Sequence, residues 1–244
     1  MNKIGIIGGG VWGSALAKLL SGNKVLIYAR DTNIVSSINE HRINPKLKYV
    51  IFNNNVSSTS NIKDLHNYDY IFLALPSQNI REVMKEYNNK DKNQNIIIAS
   101  KGIEIQSKLF LHDVIKAETN NSNISILSGP SFSNEVAQNL PTAVTLAAKR
   151  REAFDKVKSL FQNNNFRLYY SDDLIGCQLG GAIKNIYAIA SGITLGMNLG
   201  ENAKSALIAR SFAEIIRLGN NLGANPQTLF GLSGLGDLIL TCNS

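Results

Sequence analysis

One lysine stands almost alone in the second half of the chain. From Leu174 to Gly200 every residue is apolar, small or uncharged polar except Lys184. Burial disfavours the charged form of an amine, so a lysine in such surroundings is suited to give and take a proton between an alcohol and a ketone. A snorkelling stem with a solvated amine is the competing reading. Asp237, at the end of Gly231-Leu232-Ser233-Gly234-Leu235-Gly236-Asp237, is a partner able to orient an amine or bind a substrate hydroxyl, or simply a helix cap. Upstream, Lys101 sits in Ser100-Lys101-Gly102 directly after the apolar run Ile96 to Ala99. The ligand crevice of a doubly wound sheet lies at such strand ends, which makes this lysine a substrate or phosphate contact. The third constellation is Gly8-x-Gly10-x-x-Gly13. Its glycines permit a tight turn, backbone approach to a pyrophosphate and close packing of helix on strand, with the helix N-terminus facing the diphosphate.

The elements that must hold these residues follow from the pattern. Ile4, Ile6 and Ile7 form a buried strand, Ala15 to Leu20 a helix, and Val25 to Ala29 a second strand, which is the context a dinucleotide fingerprint requires. Arg30-Asp31 follows, where an acidic residue would bind a ribose hydroxyl and an arginine a 2′-phosphate. Both types are present, so the coenzyme choice stays open, and two solvated charges are the plainer alternative. Thr32 to Glu40 is read as a helix and Asn44 to Asn55 as a loop with little order of its own. Tyr70 to Leu75 is a strand closed by Pro76, with Ser77 at a helix-cap position, and Ile124 to Leu127 is a strand running into Ser128-Gly129-Pro130-Ser131. Thr142 to Ala148 and Phe166 to Tyr170 complete the sheet, with an antiparallel edge. Composition changes at Ser171-Asp172-Asp173. Two helices follow, the first carrying Ile183, Ile186, Ala190 and Ile193 on one face and Lys184, Tyr187, Ala188 and Ser191 on another, and read as a core helix. Pro226 begins a further helix, and Gly231 to Asp237 is read as a flexible loop.

The expected fold class is therefore α/β: a Rossmann-type doubly wound, mostly parallel sheet over residues 1–172, then an all-helical second domain over 173–244. The 244 residues are 44% hydrophobic and 18% charged, with a net charge of +7. That is the composition of an ordinary globular protein. The positive balance does not indicate nucleic acid, because the cations are scattered and lack interleaved aromatics; it suits phosphorylated small molecules equally well. Two cysteines fit a reducing, cytoplasmic setting, and His41, His66 and His112 lack metal-ligand spacing, so no metal is expected. Gln178, Asn185, the glycines and the central lysine argue against a membrane span in the apolar stretch.

Six segments in order, GGGVWGSALA, ALPSQNIREV, SKGIE, SGPSFSNEVA, GAIKNIYAIASG and SGLGDLILTC, resemble the bacterial-type NAD(P)-dependent glycerol-3-phosphate dehydrogenase family. The resemblance implies reversible interconversion of sn-glycerol 3-phosphate and dihydroxyacetone phosphate with NADP or NAD, for phospholipid synthesis, in a cytoplasmic protein that is commonly a homodimer. It implies Lys184 as proton donor and acceptor, with Lys101 and Asp237 beside it as catalytic groups. It places the coenzyme against Gly8, Gly10, Val11, Trp12, Gly13, Arg30, Pro76 and Lys101, and against Ser133, where the family usually has alanine. It places substrate against Lys101, Gly129, Ser131, Lys184, Asp237 and Thr241. In the family a Ser-Arg-Asn group that clamps phosphate and coenzyme follows GDLxLTC, and this sequence ends at Ser244 ahead of it. The helical domain is accordingly expected to be incomplete, with weakened phosphate binding and part of Leu174 to Gly200 exposed. Two alternatives remain open: a coenzyme-binding protein without turnover, and a related hydroxyacid dehydrogenase.

Overall fold

The computed structural model describes residues 1–89, 91–119 and 121–244. Eight strands form one sheet: β1 (Lys3–Ile7), β2 (Lys24–Tyr28), β3 (Val56–Thr59), β4 (Tyr70–Leu73), β5 (Asn95–Ile98), β6 (Ile124–Ser128), β7 (Thr142–Ala148) and β8 (Phe166–Ser171). Their order is β3-β2-β1-β4-β5-β6-β7-β8. The first six are parallel; β7 runs antiparallel to β6, and β8 parallel to β7. The expected antiparallel edge is thus a pair of strands. Strand order reverses between β1 and β4, and a crevice opens at their carboxyl ends.

The helices are α1 (Val11–Leu19), α2 (Thr32–His41), α3 (Ile80–Tyr87), α4 (Leu111–Thr119), α5 (Ser133–Ala137), α6 (Arg151–Lys158), α7 (Leu174–Gly196), α8 (Gly200–Leu222), α9 (Pro226–Phe230) and α10 (Asp237–Cys242). One sheet face packs Ile4, Ile6 and Ile27 against Leu16 of α1, Ile38 of α2, Val136 of α5 and Phe154 of α6. The other packs Ile71, Leu73 and Ile98 against Met84 of α3, Ile115 of α4 and the first turns of α7 through Leu174 and Cys177. A separate apolar cluster ties α7, α8, α9 and α10 together through Leu179, Ile183, Ile215, Leu229 and Leu238. Asp173 joins the two regions: one carboxylate oxygen caps α7 by accepting from Gly176 N–H at 2.8 Å, and the other accepts from Asn225 N–H at 2.8 Å.

Four expectations are corrected. Asn44 to Asn55 is ordered rather than loose, because buried Asn44 donates to Gly9 O at 3.1 Å and to Ser14 Oγ at 2.6 Å, and a turn over Pro45–Leu47 follows. Ser77 caps no helix; it opens a short 3-10 turn, Ser77–Asn79, ahead of α3. Gly231 to Asp237 is not a flexible loop. Leu232–Gly236 forms a π-type turn in which a Cβ on Gly234 would stand 2.0 Å from Leu229 O, so the glycine serves close backbone packing. In α7 the side facing the protein is that of Lys184, Ser191 and Thr194, whereas Ile186, Ile189 and Ile193 are 63%, 66% and 57% exposed, so the core-helix reading is corrected while the expected exposure of part of Leu174 to Gly200 is found. Only the first turns of α7 are core. Among the described residues no helix is long and apolar enough to cross a membrane.

Candidate active site

The glycine-rich turn forms as its spacing predicts. Gly8 has φ +132°, and a Cβ there would lie 2.3 Å from Ala74 O. A Cβ on Gly13 would lie 1.9 Å from Gly8 O, so α1 could not seat so closely on the turn. At Gly10 a Cβ would meet nothing within 4 Å, and no side chain caps α1. The first N–H groups of α1 therefore face open space, an arrangement that fits a diphosphate. The hollow before them, about 390 Å³, is lined by Gly8, Gly10, Arg30, Asp31, Leu75 and Pro76, among others. A neighbouring hollow of about 370 Å³ brings together Trp12, Pro76, Ser100, Lys101, Ser131 and Ser133. Val11 and Gly13 line neither hollow and lie in the first turn of α1. A larger hollow of about 650 Å³ lies along α6 and β8 and contains none of these residues.

Arg30 is exposed at the mouth of the first hollow. Asp31 already has work, because its carboxylate caps α2 by accepting from Asn33 N–H at 3.0 Å. Trp12 is anchored by donating from Nε1 to Ala99 O at 3.0 Å.

A cluster of charged side chains lies next to the second hollow, where the sheet meets the helical region. Asp237, at the start of α10, is completely buried. Lys184 of α7 donates to its Oδ1 at 2.5 Å, and Lys101, beyond β5, donates to its Oδ2 at 2.5 Å. One carboxylate thus carries two amines brought from opposite sides. Thr241, one turn along α10, donates to Asp237 O at 2.7 Å and accepts from Lys184 Nζ at 2.8 Å. Lys101 also donates to Gly129 O at 3.3 Å, at a residue with φ +146°. The snorkelling reading of Lys184 fails here, since its amine turns inward onto Asp237 and Thr241.

Burial pushes the Lys101 amine down to about 8; Asp237 pulls it up and Lys184 pushes it further down. Two amines on one carboxylate leave an excess positive charge, which suits an anionic substrate. The Ser128 hydroxyl is buried without a partner among the described residues. It lies beside the Lys101 stem at Gly181, where a Cβ would stand 3.3 Å from both Lys101 Cγ and Ser128 Oγ. Sequence reasoning assigned no role to Ser128, Gly181 or Asn44. Cys177 is no nucleophile, because burial raises its thiol to about 12. Among the described residues no group of His, Cys, Asp and Glu could hold a metal.

The comparisons with known proteins agree along the whole chain. Residues 3–154 match the family described as NAD-dependent glycerol-3-phosphate dehydrogenase N-terminus, and residues 173–244 match its C-terminus. The chain is 42% identical over 245 residues to a glycerol-3-phosphate dehydrogenase [NAD(P)+] of Erythrobacter litoralis, covering 99% of this chain and 74% of that protein. It is 44% identical over 249 residues to the protein of the same name from Clostridium botulinum, covering 100% and 75%. The crystal structure of glycerol-3-phosphate dehydrogenase from Coxiella burnetii superposes with a TM-score of 0.94 at 36% identity, over 100% of this chain and 76% of that one.

Proposed function

This chain belongs to the NAD(P)-dependent glycerol-3-phosphate dehydrogenase family, and from that premise we propose that it interconverts dihydroxyacetone phosphate and sn-glycerol 3-phosphate. The observation that carries the reading is the pair of amines on Asp237 at the border of the hollow beside the glycine turn. When bound, the coenzyme supplies or accepts the hydride. Gly8, Gly10 and the N-terminus of α1 would hold its diphosphate, with Arg30 at the adenosine end and Trp12, Pro76 and Ser133 lining the way to Lys101. The division of labour follows the chain: residues 1–172 hold the coenzyme, and 173–244 bring Lys184, Asp237 and Thr241.

Lys184 gives its proton to the substrate's carbonyl oxygen as that carbon is reduced, and takes it back in the reverse direction. Asp237 and Thr241 aim the amine and keep it supplied with hydrogen-bond partners when the proton has left. Lys101, in its charged form, adds a positive charge where the oxygen gains negative charge or where the phosphate rests. Gly129 and Ser131 close the same corner, with Ser131 Oγ donating to Gly129 O at 3.1 Å. Buried Asp237 keeps both amines in place without exposing the carboxylate to solvent. The reading extends to a cytoplasmic setting, supported by two free cysteines, and to a homodimer, for which the exposed Ile186, Ile189 and Ile193 offer an apolar surface.

The test is to follow oxidation of NADH and of NADPH with dihydroxyacetone phosphate, unphosphorylated dihydroxyacetone and a 2-ketoacid in parallel. Turnover of the phosphorylated ketone well above the other two is expected. Preference for the ketoacid would favour a hydroxyacid dehydrogenase. Tight coenzyme binding with no turnover of any of the three would mean that the protein binds coenzyme only.

A further inference from the structure

Arg81 and Glu104 lie in two of the six segments named above, ALPSQNIREV and SKGIE, yet neither lines the coenzyme hollow or the one beside Lys101. They meet each other instead. On α3, Arg81 donates from Nε to Glu104 Oε1 at 2.8 Å and from Nη2 to Oε2 at 2.7 Å, a two-pronged grip. Its Nη1 donates to Glu118 at the end of α4, and the Ser107 hydroxyl donates to Glu104. Glu104 is buried, and Arg81 with Ser107 holds its carboxyl down at about 2. Two carboxylates on one guanidinium leave this group dependent on Arg81.

The grip is the far end of a fastening that begins at Lys101. Gln78 brackets Glu104, donating from Nε2 to Ile103 O at 2.8 Å and accepting from Ile105 N–H at 2.9 Å. Gly102 has φ +144° and passes so close to Ser77 that a Cβ would stand 2.3 Å from its Oγ. On the other side of Lys101, the Ser100 hydroxyl accepts from Leu75 N–H at 3.1 Å and donates to Leu75 O at 2.6 Å. Lys101 is therefore flanked on both sides by residues fastened to the segment from Leu73 to Arg81. Its side chain alone crosses to Gly129 and Asp237.

We propose that Arg81, acting through Glu104, is a positioning residue for Lys101: it clamps residues 102–105 against α3 so that the amine is delivered to Asp237. The clamp touches neither reacting atoms nor coenzyme hollow. The loop's own backbone bonds, Glu104 N–H to Leu109 O at 3.1 Å and Lys108 N–H to Glu104 O at 2.9 Å, close it on itself, and the bidentate ion pair is what ties it to α3. The importance of this placement rests on reading Lys101 as a site amine. The groups facing that amine are Asp237 of α10 and Lys184 of α7.

The test reads the amine directly. The whole protein is labelled with trace acetic anhydride from pH 6 to 11, and the Lys101 peptide is quantified by mass spectrometry to give the titration midpoint. Wild type is expected near 8, the depressed position that burial imposes. In Arg81→Met the loosened loop releases the amine to water, and the midpoint moves up by about one unit or more toward the ordinary lysine value of about 10.4. Glu104→Gln, a milder change, moves it in the same direction. Glu118→Gln leaves the two-pronged grip intact and leaves the midpoint where it was. Should Arg81→Met fail to fold, Glu104→Gln decides. An unmoved midpoint in a folded clamp variant, an equal rise in Glu118→Gln, or a wild-type midpoint near 10.4 would each overturn the proposal. Labelling needs no turnover, so failure to reduce dihydroxyacetone phosphate would defeat the functional reading and leave this result standing.

Discussion

Replacing Asp237 by asparagine removes one negative charge and almost no volume, so its effect isolates the charge. The side chain is fully buried with an amine at 2.5 Å on each oxygen. Deleting one partner of a buried ion pair leaves an uncompensated charge and costs about 3–5 kcal/mol. Here two ammonium groups lose the same counter-ion, which points to the upper end, against a total stability of roughly 5–15 kcal/mol for an ordinary domain. The loss should also depend on pH. Asp237 is what pulls the Lys101 amine up, so without it the amine falls below about 8 in the folded variant while its unfolded value stays near the ordinary lysine range. Between those values the unfolded chain binds more protons, so stability rises with pH, and in the variant this window opens at lower pH than in wild type. The deficit should be largest near pH 6 and smaller at pH 9. Urea unfolding of both proteins at pH 6, 7.5 and 9 measures it. A deficit below about 1 kcal/mol, or one that is the same at all three pH values, would show that Asp237 does not carry the charge of both amines.

Lys101 is charged below about 8 and loses its proton as pH rises through that value, so KM for dihydroxyacetone phosphate should climb above pH 8 by up to tenfold per unit, and the climb should be absent in Lys101→Met. Arg30→Ala should weaken NADPH more than NADH in coenzyme titrations, because its guanidinium is exposed at the mouth of the hollow before the glycine turn, where it could meet a 2′-phosphate; equal losses would remove it from the choice. Asp31→Ala should lower thermal stability by about 1 kcal/mol through the lost cap on α2 and change NADH affinity little, and a selective NADH loss would show that the ribose hydroxyl, not the cap, is its partner. Gly13→Ala should abolish tight coenzyme binding, since the new methyl would displace Gly8 O from its place; unchanged titration curves would mean that the turn is not the binding element.

Where a residue's role is set by its neighbours in sequence, the sequence shows it. The turn Gly8 to Gly13, the apolar runs that become β1, β4, β5 and β6, and the polar residues that leave their carboxyl ends all belong to that class. Lys184 stood out because nothing else in 27 residues of chain carries charge. The pairing of Lys101 with Asp237 spans 136 positions and has no local signal, so only the resemblance brought those two together. The fastening between Arg81 and Glu104 has no local signal either, and nothing in the sequence pattern pairs them. Asn44 to Asn55 looked loose because its core residues Leu47, Val50 and Phe52 follow no regular strand or helix period, and the rest of its order comes from asparagine side chains bonding to distant backbone, as Asn53 and Asn55 do with Ser21 O. Gly231 to Asp237 looked mobile because glycine signals both freedom and close approach, and here Gly180 and Gly234 serve approach. In α7 both faces are apolar or small, so periodicity found the helix without showing which face is covered.

The account rests on Lys184 as the proton carrier, and the most direct measurement is turnover and coenzyme affinity of Lys184→Met beside wild type under identical conditions. The amine lines neither hollow and is bonded to Asp237 and Thr241, so its loss should lower kcat for dihydroxyacetone phosphate reduction by about a hundredfold or more while Kd for coenzyme stays within about twofold. Near-normal kcat in Lys184→Met would contradict the account, and so would an equal loss of coenzyme binding, which would make the lysine a structural support for the nucleotide site.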